Sequence, residues 1–119
     1  MKDTLVFGAS LKPDRYSNLA IERLVGKKIA TQAYGIQVGV IHGVQIKTNL
    51  NDFQNIHTIT LYLNAKRQKE YYNDIINLRP KRVIFNPGTE NPEFYGLLEK
   101  NGIEVTVACT LVLLAIDKY

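Results

Sequence analysis

An α/β fold of five mostly parallel strands, with helices on both faces of the sheet, is what this sequence predicts, and three observations predict it. Short apolar runs alternate with stretches of helical periodicity along the whole chain. The runs end at glycine, asparagine or another loop-forming residue. Their spacing leaves room for one helix between consecutive strands, which is the mark of βαβ units and a parallel sheet. Right-handed crossovers then leave few topologies, and the natural one is a three-layer, doubly wound, Rossmann-like sheet.

Thr4-Leu5-Val6-Phe7 is a β-rich run that stops at Gly8, as a buried parallel strand does. After the polar loop Ser10 to Tyr16, Ser17 is placed to cap a helix. Its apolar positions Ile21, Leu24 and Val25 fall on one face, and Gly26 lies near its end. Ile29 to Tyr34 reads as the second strand. Gly35, Gly39 and Gly43 punctuate an irregular stretch, within which Val44-Gln45-Ile46 is a small edge strand. Thr58 to Leu63 is the third main strand, and Asn64 caps a helix carrying Tyr72, Ile75 and Ile76 on one face. Arg82 to Phe85 is the fourth, followed by the helix start Asn91-Pro92. Phe94, Leu97 and Leu98 mark that helix's buried side, and Asn101-Gly102 ends it. Ile103 to Val107 is the fifth strand, and Leu111 to Ile116 is a last apolar helix.

With 119 residues, the chain is read as one domain over 1–119, long enough to bury a core without disulfides. No apolar run approaches the roughly 20 residues needed to span a bilayer, so no membrane partner is expected. The N-terminus shows no signal-peptide pattern and Cys109 is the single cysteine, which together place the protein in the cytoplasm. The net charge of +4 comes from scattered pairs such as Lys27-Lys28 and Lys81-Arg82. A basic stripe interleaved with aromatics is absent, which excludes a nucleic-acid partner and favours a small anionic ligand. His42 and His57 have no metal-binding or acid/base partner in the pattern.

Ligands of open parallel sheets sit beyond the carboxyl ends of the strands, and the loop after the first strand is the most informative one. Gly8 permits a tight turn with close approach to phosphate, while small Ala9 and Ser10 keep the path clear. Ser10 offers a hydroxyl, and Lys12 and Arg15 supply charge within reach of a pyrophosphate. A dinucleotide fingerprint would need further glycines where this chain has Ser10 and Pro13. It would also need an acid after the second strand, where Tyr34-Gly35-Ile36-Gln37 has none. NAD is disfavoured on both counts.

Four segments in order carry a resemblance to a known family. They are Val6-Phe7-Gly8-Ala9-Ser10 with its basic loop Lys12-Pro13-Asp14-Arg15-Tyr16-Ser17, then Gly43 to Ile46 through Leu50-Asn51-Asp52, the turn Phe85 to Asn91, and Ala108-Cys109. In these the chain resembles the small stand-alone CoA-binding domains, similar to the N-terminal domain of the succinyl-CoA synthetase α subunit. The resemblance implies that coenzyme A or an acyl-CoA is held with its phosphates at the first loop, Gly8 to Ser17. It implies contacts for adenosine near Tyr34 and Gly35. Pantetheine would then follow the later strand ends at Leu63, Asn64, Asn86, Pro87, Gly88 and Cys109. The family's arginine after the third strand is missing at Tyr62-Leu63-Asn64, and Lys66 or Arg67 is a candidate to replace its charge.

Cys109 has two readings, a thiol facing the pantetheine end and a small residue buried between strand and helix. Glu90 either orients a ligand or acts as a base, or it favours the start of the helix after it. Tyr71 and Tyr72 are read as core and interface. No nucleophile, base and orienter appear as a set, and the synthetase's phosphorylated histidine belongs to a following domain. The expected role is therefore a non-catalytic binding or regulatory module for a nucleotide ligand, with a possible protein partner in acyl-CoA metabolism and a possible homodimer. The alternative is a small NAD(P)-binding oxidoreductase or redox sensor.

Overall fold

A computed structural model describes residues 2–119. The apolar runs become strands whose first members are buried on both sides: all four residues of β1 (Thr4–Phe7) are inaccessible to solvent. Strands β2 (Thr31–Tyr34), β3 (Gly39–Ile41), β4 (Val44–Lys47), β5 (Thr58–Leu61), β6 (Arg82–Phe85) and β7 (Glu104–Val107) complete the sheet. Among the described residues it has seven strands, in the order β3-β4-β2-β1-β5-β6-β7, rather than the five expected. Every neighbouring pair is parallel except β3 with β4.

The expected small strand at Val44-Gln45-Ile46 is β4, but it lies between β2 and β3 rather than at the edge. It forms with β3 a hairpin whose turn is His42-Gly43, both with positive φ (50° and 79°). Two consecutive positive φ values define the tight turn that matches the twist of a hairpin. Gly39 therefore lies inside a strand rather than in a loop. A Cβ on Gly39 would meet Leu11 Cδ2 at 2.5 Å, so Gly39 packs directly beneath the Leu11 side chain of the first loop, which would have to shift to admit a larger residue.

Among the described residues, α1 (Tyr16–Gly26), α2 (Ala65–Gln68), α3 (Tyr72–Asn77) and α4 (Pro92–Lys100) lie between strands, and α5 (Thr110–Ala115) follows the last one. Arg15, in extended conformation, is the N-cap of α1, and Ser17 is its second residue and buried. The capping role expected of Ser17 is thus corrected, because the helix begins two residues earlier, at Tyr16 rather than after Ser17. Asn64 and Asn91 do cap α2 and α4, accepting from the amides of Arg67 and Phe94. No described helix is long and apolar enough to cross a membrane.

Strand alternation divides the core. Leu5 and Phe7 join Ile59, Leu61, Val83 and Phe85 in one cluster, closed by Ile75 of α3 and Phe94 and Leu98 of α4. Val6, Ala33 and Ile46 join the other, closed by Ile21 and Leu24 of α1 and Leu114 of α5. Each fully buried Leu, Ile or Phe contributes about 1.5–3 kcal/mol.

The amino ends of the strands are sealed by Tyr119. Its hydroxyl hydrogen-bonds Thr4 Oγ1, Lys2 Nζ donates to its main-chain oxygen at 2.6 Å, and the Arg82 guanidinium lies 4.6 Å from its ring centroid. Arg82 Nε also donates to Thr58 Oγ1, which hydrogen-bonds His57 Nδ1.

Candidate functional site

From β1 the chain passes first to β2 on one side and later to β5 on the other. Such a switch of direction leaves a crevice at the carboxyl ends of the strands. A cavity of about 590 Å³ occupies it. Its walls come from the loops after β1, β2, β5 and β6.

The loop after β1 is held from three directions. Gly8 N and Ala9 N both donate to Tyr34 O, at 2.9 and 2.8 Å. Asn18 of α1, buried, donates from Nδ2 to Ser10 O, and its own Oδ1 bonds His42 Nε2 of the hairpin turn. Ser10 Oγ accepts from Lys12 N. Gly8 has φ 100°, which favours glycine, and a Cβ there would crowd Leu63 at 3.1 Å. The amides of Gly8 and Ala9 are thereby committed to the fold, and the candidates to meet an anion begin further along. Helix α1 has no side chain on its N-terminal amides and no acid in its first turn, so its positive end opens on the cavity at Tyr16 and Ser17.

The opposite wall is built on Gln68, which is fully buried. Its Nε2 donates to Leu63 O and Thr89 O, and its Oε1 accepts from Asn91 Nδ2. One side chain thus ties the loop after β5 to the loop after β6. Gly88 has φ 92°, and its amide donates to Glu90 Oε1. The geometry gives Glu90 a role that neither reading named, closing this turn on the amide of Gly88.

Lys12, Arg15 and Arg67 bring three positive charges to the lining, which contains no carboxylate and no histidine. Their cationic groups have no salt-bridge partner among the described residues. Burial raises the phenol of Tyr34 well above its ordinary value, with contact to Tyr71 and the charges of Asp74 and Glu70 adding to it. Burial likewise pushes Tyr62 up to about 12, and its hydroxyl is buried with no hydrogen-bond partner among the described residues. Neither phenol ionises near neutral pH, so the charged groups of the lining itself are the three cations, with Asp74 and Glu70 acting on Tyr34 from outside it.

The structure brings most of the expected residues together. Gly8, Ala9, Ser10, Lys12, Arg15, Tyr16 and Ser17 line the cavity, as do Tyr34, Gly35, Leu63, Asn64, Pro87 and Gly88. Asn86 and Cys109 do not. Asn86 is buried and fully used: Nδ2 donates to Thr60 Oγ1 and Leu61 O, and Oδ1 accepts from Thr110 N. Cys109 is the half-buried N-cap of α5. Of the two candidate replacement cations, Arg67 lines the cavity and Lys66 does not. Leu11, Ile36, Gln37, Tyr62, Tyr71 and Thr89 complete the wall. Tyr71 reaches it because a 3₁₀ turn, Lys69–Tyr71, separates α2 from α3.

Comparison with known proteins adds to this geometry. The family model described as "CoA binding domain" matches residues 2–115. The chain matches no curated protein. It is similar to an uncharacterized protein of known crystal structure, at 42% identity over 100% of this chain and 98% of the other, with a TM-score of 0.96. A Thermus thermophilus protein (20% identity, 99% and 91% coverage, TM-score 0.86) shares the fold. So does a hypothetical protein from Pyrococcus horikoshii OT3 (23% identity, 93% and 80% coverage, TM-score 0.84).

Proposed function

The chain belongs to the CoA binding domain family, and from that premise we propose that its cavity binds coenzyme A or an acyl-CoA through the phosphates. The observation that carries this reading is the meeting, in one crevice, of an uncapped α1 N-terminus with three unpaired cations and no carboxylate. Phosphate oxygens satisfy both features at once. The diphosphate lies against Ser10, Lys12 and Arg15, and the adenosine lies towards Tyr34 and Gly35. There Tyr16 and Ile36 expose 72% and 78% of their surface and offer apolar area to a base. The layering is read as Rossmann-like, and the chain as one domain that works in the cytoplasm as a non-catalytic module. Its ligand serves a protein partner in acyl-CoA metabolism.

Thermal unfolding with and without CoA tests the proposal. A hundredfold excess over the dissociation constant adds about 2.7 kcal/mol, and Arg15→Ala removes most of that gain. No shift at millimolar CoA, or an equal shift with NAD, overturns the reading.

A further inference from the structure

Resting on the CoA reading, we propose that Arg67 is a specificity-determining residue that selects nucleotides carrying a phosphomonoester in addition to their diphosphate. The argument is one of charge. The lining holds the cations Lys12, Arg15 and Arg67 and no acid. The nearest acids stand behind the wall rather than in it: Glu90 is engaged by the amide of Gly88, Asp74 and Glu70 act on Tyr34 from outside the lining, and Asp14 is exposed. The open end of α1 adds about half a positive charge. A diphosphate carries two negative charges, which leaves about 1.5 positive charges uncompensated. A phosphomonoester supplies about −1.5 to −2 at pH 7, which matches the remainder.

Arg67 is the cation set apart from the others. Lys12 and Arg15 share the loop after β1, where the diphosphate meets the start of α1. Arg67 stands on the wall after β5. Its backbone is held there on both sides, by Asn64 Oδ1 accepting from its amide at 3.0 Å and by the buried Gln68 that follows it. Its guanidinium is exposed and unpaired among the described residues, so a ligand displaces no existing partner. Lys66, its neighbour, is exposed but outside the cavity and serves as the matched control.

Titration calorimetry with CoA and dephospho-CoA, which lacks the phosphomonoester, tests the assignment in the wild type, Arg67→Gln and Lys66→Gln. The wild type is expected to prefer CoA by about tenfold or more, the size of one charge-assisted contact. Arg67→Gln reduces that preference to about twofold or less and leaves dephospho-CoA affinity nearly unchanged, while Lys66→Gln keeps the preference. Equal binding of both ligands by the wild type overturns the proposal. So does Arg67→Gln weakening both ligands by one factor, which would place Arg67 at the diphosphate. If neither ligand binds the wild type, the CoA reading fails and this inference with it. A wild type that binds neither CoA nor dephospho-CoA but takes NADP over NAD would overturn the CoA reading just as surely, whatever Arg67→Gln then does to that preference.

Discussion

Replacing Gly35 by alanine adds one methyl group at a point where the end of β2 passes under the loop after β1. The new Cβ would stand 2.5 Å from the carbonyl oxygen of Ala9 and 3.1 Å from Ile46 Cγ2. The first neighbour is backbone held by two hydrogen bonds to Tyr34 O, so it cannot turn away as a side chain would. Overpacking of this kind costs about 1–3 kcal/mol. A chain of 119 residues unfolds with an entropy of about 0.25 kcal/mol/K, so the melting temperature falls by about 4–12 °C. CoA affinity falls too, because the displaced carbonyl belongs to the phosphate loop. Gly96, in α4, has nothing within 4 Å of its Cβ position. There the same substitution is expected to stabilise by about 0.5–1 kcal/mol through helix propensity. Differential scanning calorimetry of both variants reads opposite signs. A Gly35→Ala protein that melts within about 1 °C of the parent would refute the contact argument.

Three further outcomes follow from the hydrogen bonding. Asn86→Ala strands Leu61 O and Thr110 N without their side-chain partner and should cost about 2–4 kcal/mol in urea unfolding; a loss under about 1 kcal/mol would contradict the network. Tyr119→Phe removes the bond to Thr4 but keeps the ring beside Arg82, for an expected loss of about 1 kcal/mol, whereas Tyr119→Ala should cost more because the ring goes as well. His57 has its pKa lowered by burial and then by the positive charges of Arg82 and Lys2, so the unfolded chain takes up the proton first. Stability is then greatest above about pH 6.5 and falls as the pH drops through the folded value. His57→Gln should flatten that decline, and an unchanged acid limb in urea midpoints would count against it.

Most of the sheet was legible because a buried parallel strand leaves a plain mark: Leu5-Val6-Phe7 and Val83-Ile84-Phe85 are apolar on both faces. The hairpin of β3 and β4 was half legible. The turn His42-Gly43 lacks the usual asparagine or aspartate, so His42 at φ 50° hid it, and Gly39 looked like punctuation although it packs against Leu11. The first loop was readable as a place for phosphate from Gly8, Lys12 and Arg15. Which of its amides are free was not, because that depends on Tyr34 O, 26 residues away in sequence from Gly8. Asn86 shows the same limit. A polar residue at a strand end looks like a ligand contact until its three bonds to β5 and α5 are seen. Gln68 carried no sequence signal, and Tyr71, read as core and interface, does pack against the core but also lines the cavity, because of a break between α2 and α3 that no proline or glycine announces.

The paired bonds from Gly8 and Ala9 to the Tyr34 carbonyl have a consequence for how a ligand arrives. The turn receives its shape from β2 during folding, so an incoming phosphate freezes little backbone there and loses little affinity to loop ordering. The same arrangement welds the turn to the end of a central strand. These two amides should therefore exchange with solvent only when the sheet itself opens, at the pace of its slowest protons, although they sit at the rim of an open crevice.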